Sequence, residues 1–205
     1  MRKILIASTI VMFFGPFNAY SSNLNLLGVG WRSQPGRRPT ITVAINAARG
    51  VTQRAIGDVE SAVSHWNTVL SSHPYAPFLG VVLNQKADIT IHMKVSNGEV
   101  LGMTSWETAT TQNCALKSVD IRLSGKAFGQ DSSHAETLNV ALHELGHALG
   151  LGSSDEPCDL MYAYNGCSNL AGTPVVSISP CNLKGIDKIY PLTPFCIISD
   201  HVSCR

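Results

Sequence analysis

The chain has 205 residues, 44% of them hydrophobic and 14% charged, with a formal net charge of +1. That length suits one well-buried domain and leaves little room for two, and the apolar fraction excludes wholesale disorder. With 15 Lys+Arg against 14 Asp+Glu, there is no broad electrostatic footprint for nucleic acid or for an anionic membrane. The small cluster of Arg32, Arg37 and Arg38 beside Pro and Gly reads as a solvated segment.

Met1, Arg2 and Lys3 make a short basic start, followed by an apolar run from Ile4 to Phe14, a break at Gly15 and Pro16, and small residues at Ala19 and Ser21. This is the layout of a secretory signal peptide over residues 1–21, too short in its apolar part to span a bilayer. It predicts a secreted, extracellular protein (periplasmic if bacterial) that starts near Ser22 and has no membrane segment after signal removal. The six cysteines, Cys114, Cys158, Cys167, Cys181, Cys196 and Cys204, all lie in the exported part. An even count in an exported chain reads as disulfides, with free thiols or zinc ligation as the alternatives. Short loops favour Cys158–Cys167 and Cys181–Cys196, though sequence alone does not choose among pairings.

Residues 22–39 lack periodicity and read as a loosely held arm. Ile41, Val43 and Ile45 alternate with small or polar residues, a strand signal. Thr52 is placed to cap a helix reaching Leu70, with Ala55, Ile56, Val59, Ala62, Val63, Trp66, Val69 and Leu70 at three- and four-residue steps on one buried face. A short apolar run follows from Phe78 to Leu83. Ile89, Ile91, Met93 and Val95 form a half-exposed strand, Asn97 and Gly98 a turn, Val100 to Trp106 a further strand, and Val119, Ile121 and Leu123 another. Ser133 and Glu136 resemble a capping box for a helix that runs to Gly150. The chain then reads as loop to about Pro180, with a last short helix from Asn182 to Tyr190. No repeat or linker interrupts residues 22–205, which are read as a single domain.

The chemistry concentrates on that second long helix. His143, Glu144 and His147 form H-E-x-x-H. Residues four apart on a helix stand one above the other, so the two histidines can share one zinc ion, with Glu144 beside it as general base. Zinc lowers the pKa of water to about 7, and so makes a nucleophile for amide hydrolysis at neutral pH.

The run from His143 to Gly152 resembles the opening of the metzincin signature, H-E-x-x-H-x-x-G-x-x-H, and is most similar to the matrixin branch. Asp159, Leu160, Met161 and Tyr162 resemble the family's methionine turn, and Asn182 to Tyr190 its final helix. Ala87 to Ile91 and Val119 to Leu123 resemble two of its strands. The resemblance implies an α/β fold: a twisted, mostly parallel five-stranded sheet with a backing helix, an active-site helix and a C-terminal helix. It also implies a zinc metalloendopeptidase, a monomer, that binds an extended protein or peptide substrate along the sheet edge. Met161 would be the hydrophobic floor beneath the metal, and residues 162–180 one wall of the specificity pocket.

One position departs from the pattern. Ser153 stands where the family has its third ligand histidine, and a serine hydroxyl is a poor zinc ligand. Three readings stay open: Asp155 swings in as a tentative third ligand; Ser153 ligates weakly or through water; or zinc binding is poor and the protein is a catalytically impaired, secreted peptide- or protein-binding module. The stretch between the expected signal peptide and the first strand is too short for the family's usual inhibitory prodomain and contains no cysteine, and no clear structural zinc set or calcium loop is evident.

Overall fold

A computed structural model describes residues 22–32, 37–83, 86–98, 101–109, 114–129, 134–162, 175–191 and 201–204. In chain order they form β1 (Asn23–Leu26), β2 (Thr40–Ala47), α1 (Gln53–Leu70), β3 (Phe78–Val82), β4 (Ile89–Val95), β5 (Leu101–Thr108), β6 (Leu116–Gly125), α2 (His134–Ala148), β7 (Leu151–Ser154), α3 (Pro180–Ile189) and β8 (His201–Ser203). The expected signal peptide, Val100, the Ser133 half of the capping box, and Cys167 and Cys196 all lie outside the described residues.

Five strands form a sheet in the order β3-β2-β4-β6-β5. The pairs β2–β3, β2–β4 and β4–β6 are parallel, and only β5 runs antiparallel, against β6. This is the mixed α/β, mostly parallel five-stranded sheet that the resemblance implies. The alternating residues Ile89, Ile91 and Met93 and their neighbours Val119, Ile121 and Leu123 are buried on one face, which α1 and α2 cover. The parallel step from β2 to β3 is made by α1, as parallel neighbours require a crossover. Thr52 caps that helix, its hydroxyl accepting from the Ala55 N–H at 3.2 Å. The buried Trp66 indole donates to the Leu142 carbonyl at 2.9 Å and so fixes α1 against the middle of α2.

The predicted loose arm is a correction. Residues 23–26 form the central strand of a second sheet, β7-β1-β8, all antiparallel. Only two alternating leucines, Leu24 and Leu26, carried a strand signal there, and the partners come from far along the chain. Three of the residues read as loop after Gly150 are likewise buried in β7, namely Leu151, Gly152 and Ser154. The disulfide pairing also differs from the short-loop expectation: Cys181 bonds to Cys204, across a separation of 23 residues. It staples α3 to the end of the chain. Cys114 and Cys158 are disulfide-bonded as well. Nor is Arg38 merely solvated, since its guanidinium donates to the carbonyls of Ala76 and Pro77 at 2.8 and 3.2 Å.

The C-terminal end of α2 receives unusual attention. A helix leaves its last carbonyls without intrahelical partners. Here the Trp31 indole donates to Ala148 O at 2.8 Å, and the Tyr190 hydroxyl donates to Leu149 O at 2.9 Å. Burial holds the Tyr190 phenol protonated, well above the ordinary tyrosine range. Gly150 then reverses the chain with φ +97°, and a Cβ there would lie 2.3 Å from the Val29 carbonyl oxygen. Backbone cannot yield as a side chain does. Gly150→Ala is expected to cost about 3 kcal/mol of stability, read from urea unfolding.

Candidate metal centre

His143 and His147 lie one turn apart on α2, their rings 4.6 Å apart between centroids and nearly perpendicular, at 88°. The Nδ1 of His143 is 2.7 Å from the Leu160 carbonyl oxygen, and the Nδ1 of His147 is 2.8 Å from that of Leu151. A carbonyl oxygen can only accept, so both protons sit on Nδ1. Each neutral imidazole therefore keeps its Nε2 lone pair for a metal. Burial lowers the pKa of His147, and the neighbouring His143 lowers it further; the Leu151 carbonyl and Glu144 oppose this only in part. The two nitrogens are thus a fitting donor pair for zinc.

Glu144, between them in sequence, is 5% exposed. Its carboxylate Oε2 accepts from the Thr104 hydroxyl of β5 at 2.5 Å. Beneath the helix, Met161 is fully buried, and a Cβ on Gly146 would lie 2.4 Å from its sulfur. The helix can rest on this methionine only because residue 146 has no side chain. The turn that carries Met161 is itself tied down by Asp159. That carboxylate accepts from the Met161 N–H at 2.8 Å, the Asn182 side-chain amide at 2.9 Å and the Ser179 hydroxyl at 2.6 Å. Ser179 and Asn182 also form the capping box of α3. One carboxylate thereby joins the floor of the centre to the last helix.

The two residues weighed as a third ligand lie on β7 and just after it. Ser153 sits half-buried on β7. Asp155 turns toward β1, where Oδ1 accepts from the Asn23 backbone N–H at 2.5 Å and Oδ2 lies 3.3 Å from the Asn23 side-chain amide. Among the described residues, no three His, Cys, Asp or Glu side chains converge as a metal cluster. Two ligands fit the ion, and the third is not placed. Thr104 is the site residue that sequence reading missed. It alternates with Gly102 on a strand that was recognised, but nothing local to β5 signals that Glu144 lies opposite.

The lowered pKa of His147 has a thermodynamic consequence. Its folded value lies below the unfolded value of about 6.5, so as pH falls through that value the unfolded chain takes up the proton first. Stability of the metal-free protein should therefore decline as pH drops below about 6.5, until the folded pKa is passed. Melting temperatures of wild type and His147→Gln over pH 5–7 check this, with a flatter slope expected for the variant.

Comparison with known proteins fits this arrangement. No curated protein matches the chain. The family profile described as matrixin does match, over residues 37–191, a span from just before β2 to just after α3 that includes α2 and the methionine turn. The match covers well over half of the sequence, and the chain belongs to the matrixin family of zinc metallopeptidases.

Proposed function

We propose that this chain is an exported zinc-dependent endopeptidase, a monomer formed by a single catalytic domain from about residue 22 onward. The observation that carries the reading is the pair of imidazoles, each anchored through Nδ1 on a main-chain carbonyl and each offering Nε2. His143 and His147 would hold the zinc ion, which would supply Lewis acidity toward water and the scissile carbonyl. The chain's own groups do the rest. Glu144 takes the proton from the attacking water and passes it to the leaving amine. Met161 keeps the floor beneath the histidines apolar and dry. β5 ends the five-stranded sheet with no described strand on its outer side, so an extended peptide has an edge to pair with. Asp155 would serve as third ligand by releasing Asn23. Export is supported by the N-terminal pattern and by the disulfide state of Cys114, Cys158, Cys181 and Cys204, since such bonds persist in oxidising compartments. No described helix is long and apolar enough to cross a membrane.

A second reading has its own support, namely the two bonds from Asp155 to Asn23 together with Ser153. On that reading the centre holds zinc weakly, and the protein is a secreted peptide-binding relative with little turnover.

Cleavage of casein or a quenched peptide by the mature chain, with and without chelator, tests the enzyme. Chelator should abolish turnover, and Glu144→Ala should lower it about 10²–10⁴-fold while zinc content persists. Chelator-resistant cleavage, or no loss in Glu144→Ala, discards the reading. Zinc titration of Asp155→Asn then separates the two accounts. As a ligand, Asp155 is worth at least tenfold in zinc affinity; as a tether only, its loss lowers melting temperature and leaves affinity unchanged. Ser153→His should raise affinity and turnover together if the missing histidine is what limits the site.

A further inference from the structure

Glu144 is held from β5 in two ways. The Thr104 hydroxyl donates to carboxylate Oε2 at 2.5 Å, the separation expected for a charge-assisted O–H···O⁻ bond. The same oxygen of Thr104 is 3.2 Å from the Glu144 main-chain carbonyl, too long to compete for its one proton. Two residues earlier on the same face, Gly102 makes the room. A Cβ there would stand 2.2–2.5 Å from Oε1, the carboxyl carbon and Cγ of Glu144. The carboxylate therefore lies flat over the α-carbon of one β5 residue and is pinned by the hydroxyl of the next residue on that face.

We propose that Thr104 is a positioning residue for Glu144, its hydroxyl holding Oε2 so that the carboxylate keeps one bearing when it takes up the proton, with Gly102 as the space that permits it. The inference rests on the endopeptidase reading above and deepens it. A glutamate side chain has three rotatable bonds, and burial alone does not choose which oxygen faces the reacting groups. The hydroxyl removes that freedom. Because Thr104 belongs to β5, which has no described strand on its outer side, the hydroxyl ties the base to the proposed docking edge, and a base displaced by an ångström costs catalysis heavily. The hold is also independent of the metal, since Thr104 touches neither histidine ring by hydrogen bond.

Three measurements on the mature chain test this. Thr104→Val should lower kcat roughly 10–100-fold with KM within about twofold and zinc content unchanged. Thr104→Ser, which restores a hydroxyl, should recover most of the loss. A wild-type kcat in Thr104→Val, or a Thr104→Ser no better than Thr104→Val, overturns the assignment. The third measurement needs no turnover and so separates failure here from failure of the endopeptidase reading. In the metal-free protein, Gly102→Ala should lower the melting temperature clearly when Glu144 is present and far less in a Glu144→Ala background, and the shifts of Thr104→Val and Glu144→Ala should fall short of additive. Fully additive shifts in both pairs mean that β5 does not grip Glu144, whatever the activity.

Discussion

Two main-chain carbonyls, those of Leu151 and Leu160, decide what the centre of this molecule can be. Each takes the Nδ1 proton of one histidine, and in doing so fixes tautomer, ring orientation and the direction of the remaining lone pair at once. An H-E-x-x-H string on a helix brings two imidazoles close; it does not orient them. Orientation comes from chain that follows the helix, and much of the fold beyond α2 serves to keep that chain in place. Leu151 starts β7, held by antiparallel pairing to β1. Leu160 sits in the methionine turn, between Asp159 and the buried Met161.

The supports come from both inside and outside the family match. β1 and β8 lie beyond the matched residues 37–191, yet β1 is the strand on which β7 rests. Trp31 and Tyr190, near either limit of the match, close the end of α2. A standard helix end is capped by its own loop. Here the end also carries two buried aromatic donors from remote segments, which makes the turn after His147 a junction of the chain's beginning and its last helix. Asp155 belongs to the same junction through Asn23.

Much of this was legible in the sequence, and the failures share one cause. Helix α1 and its Thr52 cap, the strands at 40–47 and 89–95, helix α2 and α3 all announce themselves through local periodicity and caps, because each buries a face several residues long. The mostly parallel sheet and the family followed from α2 and the methionine turn. What local pattern could not carry was anything set by distant partners: the four-residue β1, the strand character of 151–154, the Cys181–Cys204 bond, and Thr104 opposite Glu144. Short strands have too few alternating positions to stand out, and a hydroxyl on a strand looks solvated until its neighbour is known. The contacts of Asp155 were likewise invisible locally, since its bond partner Asn23 lies 132 residues away along the chain.

The dependence of His143 on Leu160, of that turn on Asp159, and of Asp159 on Ser179 and Asn182 also sets an order of events during synthesis. A nascent chain that has emerged only as far as His147 contains the whole five-residue motif, but not the carbonyls that orient it. The imidazoles gain their final bearings only once the ribosome has delivered the last helix, about 40 residues later at its slow pace of translation. Until then the motif is a helix face whose imidazoles lack the carbonyls that orient them, so the bearing of those rings is set by polypeptide made after the motif itself.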